Sequence, residues 1–332
     1  MCGPLPLLRG VVTALCCALI LACSSSGGDE PPGAAPVAAG TGPFWVDPDS
    51  AAARQVAEWE RAGRAEDAEA LRRIADQPMA YWPSGRPDPG PEVAAVAAAA
   101  TEADRTAVLT AYNIPHRDCG QYSRGGAADA AAYTEWIGAF ADGIGDARAI
   151  VVLEPDAVPH TADGCTAPEY VDERFDLLAA AVDRLKRQPH TRVYLDAGNP
   201  TWITDPADLV EPLRRSGIAR ADGFALNVSN FQTSPSSADY GRRLSALLDG
   251  AHFVIDTSRN GNGPYEGDDE PWCNPPGRAL GTPPTTATDD PLIDAYLWIK
   301  RPGESDGECR GGPPAGRWWP EYALDLARRD PS

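Results

Sequence analysis

Six apolar runs in this chain of 332 residues are each followed by side chains that can carry a proton or a charge. Tyr112-Asn113 leads to Asp118, Leu153 to Glu154 and Asp156, and Leu195 to Asp196. Asn227 leads to Asn230, Ile255 to Asp256, and Ile299 to Lys300, Glu304 and Asp306. One such Asp reads as a helix cap or turn residue, whose carboxylate satisfies free backbone N–H groups. Six together exceed what capping explains. Clustered carboxylates support hydrolysis by an acid/base pair, or a divalent metal held by oxygen ligands such as Asp118, Asp156 and Asp196. The acidic residues show no spacing built for a metal, so neither a metal nor a cofactor is expected. Cleavage of a glycosidic bond suits the first chemistry, because it needs one carboxyl protonated and one ionised across the bond. It also needs aromatic faces for sugar rings, and Trp82, Trp202, Trp272, Trp298, Trp318 and Trp319 are available. Trp298 lies inside an apolar run and reads as core.

Other chemistries fail on residues. There is no GxSxG elbow, no HExxH and no phosphate-binding loop of the Walker type. Gly261-Asn262-Gly263-Pro264 breaks the dinucleotide pattern at its proline. A formal charge of −19, from 48 acidic and 29 basic residues, excludes a nucleic-acid backbone as partner, since such binding needs clustered Lys and Arg. The same charge argues against electrostatic docking on anionic lipid.

Positioning these side chains requires short strands that end on one face. The predicted strands are Met79–Trp82, Ala107–Tyr112, Ala149–Leu153, Arg192–Leu195, Gly223–Asn227, His252–Ile255 and Ala295–Ile299. Between them lie helix candidates such as Ala130–Ile144, Val171–Lys186, Asp208–Ser216 and Ala238–Leu248; Ala51 to Ala75 predicts one or two more. Strand–helix alternation means a parallel sheet with helical crossovers. Seven strands in one domain predict an α/β fold, a distorted TIM-like parallel barrel whose strand C-termini build the site.

The cysteines divide by position. Four lie within the first 23 residues; the others are Cys119, Cys165, Cys273 and Cys309. An apolar run from Val11 to Leu21 is too short to span a bilayer comfortably and reads as a signal-peptide core. Leu19-Ile20-Leu21-Ala22-Cys23 resembles a bacterial lipobox, with an ordinary secretory signal as the alternative. Residues 1–22 are thus a predicted leader, 23–43 a Ser/Gly/Pro-rich tether starting at a lipidated Cys23, and 44–332 a single catalytic domain. Either leader delivers the chain to an oxidising compartment, where four cysteines favour two disulfides. The expected location is extracellular or on the outer face of the cytoplasmic membrane. Membrane contact is expected only through the lipid, and the protein is expected to be a monomer.

The motifs around the strand ends resemble glycoside hydrolase family 6, the inverting β-1,4-glucanases. They are Tyr112-Asn113-Ile114-Pro115-His116-Arg117-Asp118-Cys119-Gly120, Leu153-Glu154-Pro155-Asp156, Leu195-Asp196-Ala197-Gly198, Asp256-Thr257-Ser258-Arg259-Asn260-Gly261, Trp272-Cys273-Asn274-Pro275-Pro276-Gly277-Arg278 and Leu297 through Gly307. All stand in the family's order. The resemblance implies that Asp156 is the general acid, that Asp118 raises the acid's pKa, and that Asp306 matches the disputed catalytic base. It places Tyr112 beneath the distorted sugar, and puts Trp82, Asp196, Asn199, Trp202, Asn230, Trp272, Lys300 and Glu304 in the substrate site. It also implies the disulfides Cys119–Cys165 and Cys273–Cys309. Two departures stand out: Asn199 where relatives often carry His, and Arg124 where some carry a loop Ser that positions water. The short segments His160–Tyr170 and Pro264–Trp272 imply an open cleft and internal cleavage of a β-1,4-glucan. An exo-acting cellobiohydrolase and a catalytically impaired glucan-binding lipoprotein are the alternatives.

Overall fold

The computed structural model describes residues 42–329 except Ser84, Asp268 and Asp269. The leader, Cys23 and the tether as far as residue 41 lie outside the described residues. Helices α1 (Ala51–Arg61), α2 (Ala65–Ala75) and α3 (Gly90–Glu102) precede strand β1 (Ala107–Ala111). There follow α4 (Ala130–Ile144), β2 (Ala149–Leu153), the single turn α5 (Pro159–Ala162), α6 (Pro168–Leu185) and β3 (Thr191–Asp196). The chain continues through α7 (Val210–Arg215), β4 (Gly223–Leu226), α8 (Ser234–Leu247), β5 (His252–Asp256), β6 (Ile293–Leu297) and α9 (Pro320–Arg328).

The strands pair in parallel in the order β1-β2-β3-β4-β5-β6, giving one curled sheet. Among the described residues six strands form, not seven, and the sheet stays open and curled where a distorted seven-stranded barrel is expected. The missing strand is Met79–Trp82. Pro78 and Pro83 flank it, and proline cannot supply a ladder donor. What remains is one parallel bridge, Tyr81 to Leu109, with the Ala80 N–H on the Trp298 carbonyl at 2.9 Å. The last strand is also displaced, to Ile293–Leu297. The N–H groups of Ile299 and Lys300 leave the ladder for the Asp256 carboxylate.

Continuous apolar strands are what a sheet buried on both faces requires. Val151 and Leu153 of β2 pack outward with Trp136 and Phe140 of α4 and Leu178 and Val182 of α6. Ile150 and Val152 turn inward to join Val108, Tyr194, Ala225 and Val254. Each such side chain contributes roughly 1.5–3 kcal/mol by leaving water. A separate cluster joins Trp59 and Leu71 of α1 and α2 to Leu326 of α9 and to Trp298. Trp298 is buried, as its place in an apolar run suggested. Caps set the helix starts: the Ser50 hydroxyl accepts the Ala53 N–H, and the Asp129 carboxylate the Ala132 N–H.

Candidate active site

The loops leaving the strand C-termini are bent in a way side chains resist. His116, Asp118, Cys119, Glu154, Asp156, Asn227 and Ser229 all hold left-handed backbone, with φ between 46° and 70°. Such conformations cost about 1–3 kcal/mol each and concentrate at functional sites. Here they re-aim the chain immediately after β1, β2 and β4.

The strand-end carboxylates, alike in sequence, divide into two kinds. Glu154, Asp196 and Asp256 are buried and accept backbone N–H groups from neighbouring strand ends. Glu154 takes Asn113 and Ile114, both at 2.9 Å. Asp196 takes Asp156 at 2.7 Å. Asp256 takes Ser229, Ser258 and Lys300 at 2.9–3.0 Å. Asp118 and Asp156 are the second kind, half-buried, while Asp306 is buried and paired with cations.

Asp156 is half-buried, and its Oδ2 lies 3.4 Å from the Tyr112 hydroxyl. Burial, then the neighbouring charges of Asp196 and Asp118, push its carboxyl well above the usual range. It therefore keeps its proton where an ordinary Asp has lost it. Burial also raises Asp118, against a hydrogen bond from the Ser123 N–H and the nearby Arg117 cation. Arg117 lies 4.5 Å over the Tyr112 ring and donates to the Tyr112 and Ser123 carbonyls.

Asp306 sits in the opposite field. Burial works to raise its pKa, but Arg259 at 2.8 Å and Lys300 at 3.2 Å outweigh it and hold the carboxyl below the usual range. The Asn274 N–H donates to the same carboxylate at 3.0 Å. Arg259 is fully buried and also donates to the Ser229 carbonyl. The two carboxyls are thus pushed in opposite directions, Asp156 toward its protonated form and Asp306 toward its ionised form.

A family model of the glycosyl hydrolases family 6 matches residues 39–330. The chain belongs to that family. It is 43% identical to endoglucanase A of Cellulomonas fimi over 87% of this chain and 61% of that protein, so it spans less than two thirds of that relative. Endoglucanase 1 of Streptomyces halstedii is also 43% identical, over 86% of this chain and 88% of that one. The solved endoglucanase Cel6 of Mycobacterium tuberculosis, held with a thio-linked cellobioside, is 47% identical with a TM-score of 0.79, covering 87% and 97% of the two chains. Fungal cellobiohydrolases match at 30% identity.

In this family 6 chain the aromatic residues named from sequence divide: Trp298, Trp318 and Trp319 pack with the α1, α2 and α9 cluster, and Trp82, Trp202 and Trp272 contact side chains of the strand-end loops. Trp82 meets Tyr112 edge-on at 5.5 Å and donates Nε1 to the Ile299 carbonyl. Trp272 lies 5.9 Å from Tyr122. Trp202 packs on His160 at 5.0 Å and donates to the Asp163 carboxylate at 2.8 Å. Lys300 bridges Asp306 and the Ser305 carbonyl, and Glu304 pairs with Arg301 at 2.8 Å. Other named residues are spent locally. The Asn199 Oδ1 accepts from Thr201 and Trp202, and the Asn230 Oδ1 accepts from Phe231. Asp196 is buried beneath Asp156.

Both disulfides, Cys119–Cys165 and Cys273–Cys309, are formed. His160 lies close to the first, but bonded cysteines offer no thiolate to a metal. Arg259 and Asn274 stand in the quoted motifs without an assigned role, and Arg174 stands in none of them. Arg174 is buried and ties the carbonyls of Pro115 and His116 to α6. A lone Arg within Phe175 and Leu178's apolar face was the available signal.

Proposed function

We propose that the chain is an inverting endo-β-1,4-glucanase acting by general acid catalysis from Asp156. The observation that carries this reading is the environment of Asp156: half-buried, beside Asp118 and Asp196, and touching the Tyr112 hydroxyl. The neutral carboxyl gives its proton to the leaving glycosidic oxygen while water adds to the opposite face of the anomeric carbon. Trp82, Trp202 and Trp272 supply faces for the sugar rings. Asp306 takes the base's place by position, yet its two cations make it a weak proton acceptor. That favours a route in which it orders water through its neighbours. The short connections from His160 to Tyr170 and from Pro264 to Trp272, with the endoglucanase relatives, support internal cleavage over the exo reading. Two formed disulfides fit export, and Cys23 is proposed as the lipid-bearing residue.

The anomer released first from a cello-oligosaccharide, followed by proton NMR, tests the mechanism. Inversion is expected, and retention of configuration would sink it. A glucan-binding protein without catalysis is the second reading, motivated by Asn199 being consumed in a local turn and by Arg124. Reducing-sugar release from carboxymethylcellulose separates the two.

A further inference from the structure

Glu154 belongs to no step of the proposed reaction, yet it is buried two residues before the acid. Its Oε2 accepts both the Asn113 and the Ile114 N–H at 2.9 Å, and Oε1 accepts Asn113 again at 3.0 Å. Its own N–H donates to the Ala111 carbonyl at 2.8 Å. Residue 154 therefore grips the chain on both sides of Tyr112, at Ala111 and at Asn113. The Tyr112 hydroxyl in turn reaches Asp156. Beyond Ile114 the same segment runs to Asp118, with Arg174 holding the carbonyls of Pro115 and His116 on the way.

We infer that Glu154 is a positioning residue: by anchoring the backbone around Tyr112 it fixes Tyr112 and the Asp118 loop against Asp156. This rests on the reading of Asp156 as the acid. A buried carboxylate is a costly way to satisfy two N–H groups, and burial pushes Glu154 up to about 7 despite them. What the arrangement provides is placement. A small displacement of a reacting group, of the order of 1 Å, costs roughly a hundredfold in rate. The hydrogen bonds of Glu154 go to the backbone on both sides of Tyr112, so its hold on the acid's neighbours runs through geometry.

Two variants separate placement from charge. Glu154→Gln keeps a carbonyl oxygen for both N–H groups; Glu154→Ala keeps none. In E154A, kcat on cello-oligosaccharide is expected to fall about 100-fold with KM within about twofold, because ground-state binding is not what Glu154 serves. The basic limb of its pH profile should move to lower pH as Asp156 gains water and loses Asp118. E154Q should recover kcat to within about tenfold and restore the limb. If E154A does not fold, Glu154→Asp, one methylene shorter, should show the same displaced limb. The inference is overturned if E154A or E154D loses thermal stability while kcat and the limb stay put, or if E154Q is as impaired as E154A. Amide exchange gives a readout free of catalysis. Slow exchange at Asn113 and Ile114 should be lost in E154A, kept in E154Q, and unchanged at Val254 of β5. Unchanged exchange at Asn113 and Ile114 in E154A would also overturn it. A wild-type protein that releases no sugar would defeat the acid reading, while the exchange result would still decide the placement.

Discussion

Asp156 and Asp306 sit in opposite electrostatic fields, and substitutions should expose the difference. Asp156→Ala removes a proton donor and its contact with the Tyr112 hydroxyl, while the Asp156 backbone N–H that Asp196 holds is kept. Its kcat on cellulose-type glucans should fall by about 10²–10⁴, the usual worth of a general acid, with the melting temperature nearly unchanged. Glycosides with good leaving groups need less protonation and should be hurt far less; an equal loss on both would argue against the acid role. Asp306→Ala should behave otherwise. It strands Arg259, which is fully buried, without its carboxylate, and breaking such a pair costs about 3–5 kcal/mol. Calorimetry should show a clear loss of stability alongside the loss of activity. Inactivity in that variant is then no proof that Asp306 is the base.

Elements translate these residue-level fields into geometry, and the disulfide Cys119–Cys165 shows how. Cys119 follows Asp118, while Cys165 lies between α5 and α6, in the segment that carries His160 and Asp163 to Trp202. The His160 N–H returns to the Asp156 carbonyl at 2.9 Å, so one short segment joins Asp118, Asp156 and Trp202. A bridge closing 46 residues stabilises by about 4 kcal/mol on loop entropy. Replacing both cysteines with Ser should therefore lower the melting temperature and reduce kcat. The companion change at Cys273 and Cys309 should lower stability with its main kinetic effect on the Lys300–Asp306 side. Equal kinetic effects from the two would refute this division. These couplings were only partly legible beforehand. Strand ends bearing Asp, Glu, Asn and Lys stood out because apolar runs of parallel strands leave nowhere else for polar residues. Spacing does not distinguish a carboxylate that faces the rim from one that turns back onto a backbone N–H, so it sets Glu154, Asp196 and Asp256 beside Asp118, Asp156 and Asp306 without separating them. Helix α3 was missed because its run of alanines has little contrast between faces. Helix α9 lies past the last motif, and Met79–Trp82 looked like a strand because apolar runs do not reveal pairing partners.

At the scale of the whole molecule, the buried carboxylates make stability itself depend on pH. Burial raises Glu154 from 4.5 to about 7 and Asp196 from 3.8 to about 7, and it raises Asp118, Asp156 and Asp256 as well. A carboxyl whose folded pKa exceeds its unfolded value binds its proton more tightly in the folded state. Its stabilisation is fully present below the unfolded value and is lost as pH rises through the folded one. These five groups therefore favour the folded state near pH 4 and weaken it toward pH 7. His160, Asp306 and the more exposed Asp290 oppose them. His160 is lowered from 6.5 to about 4 by burial, and this costs stability as pH falls below 6.5. Asp306, held below 3.8 by Arg259 and Lys300, loses its contribution only at lower pH still. One His against five carboxyls does not reverse the slope, and a net charge of −19 adds self-repulsion on the alkaline side. The melting temperature should fall as pH rises from about 5 to 7.5, by roughly 2 °C or more for each kcal/mol lost. Asp196→Asn, which cannot ionise, should flatten that slope, whereas substitutions of exposed acids such as Asp172 should leave it unchanged. A melting temperature that is level or climbs across this range would show that the buried carboxylates do not control it.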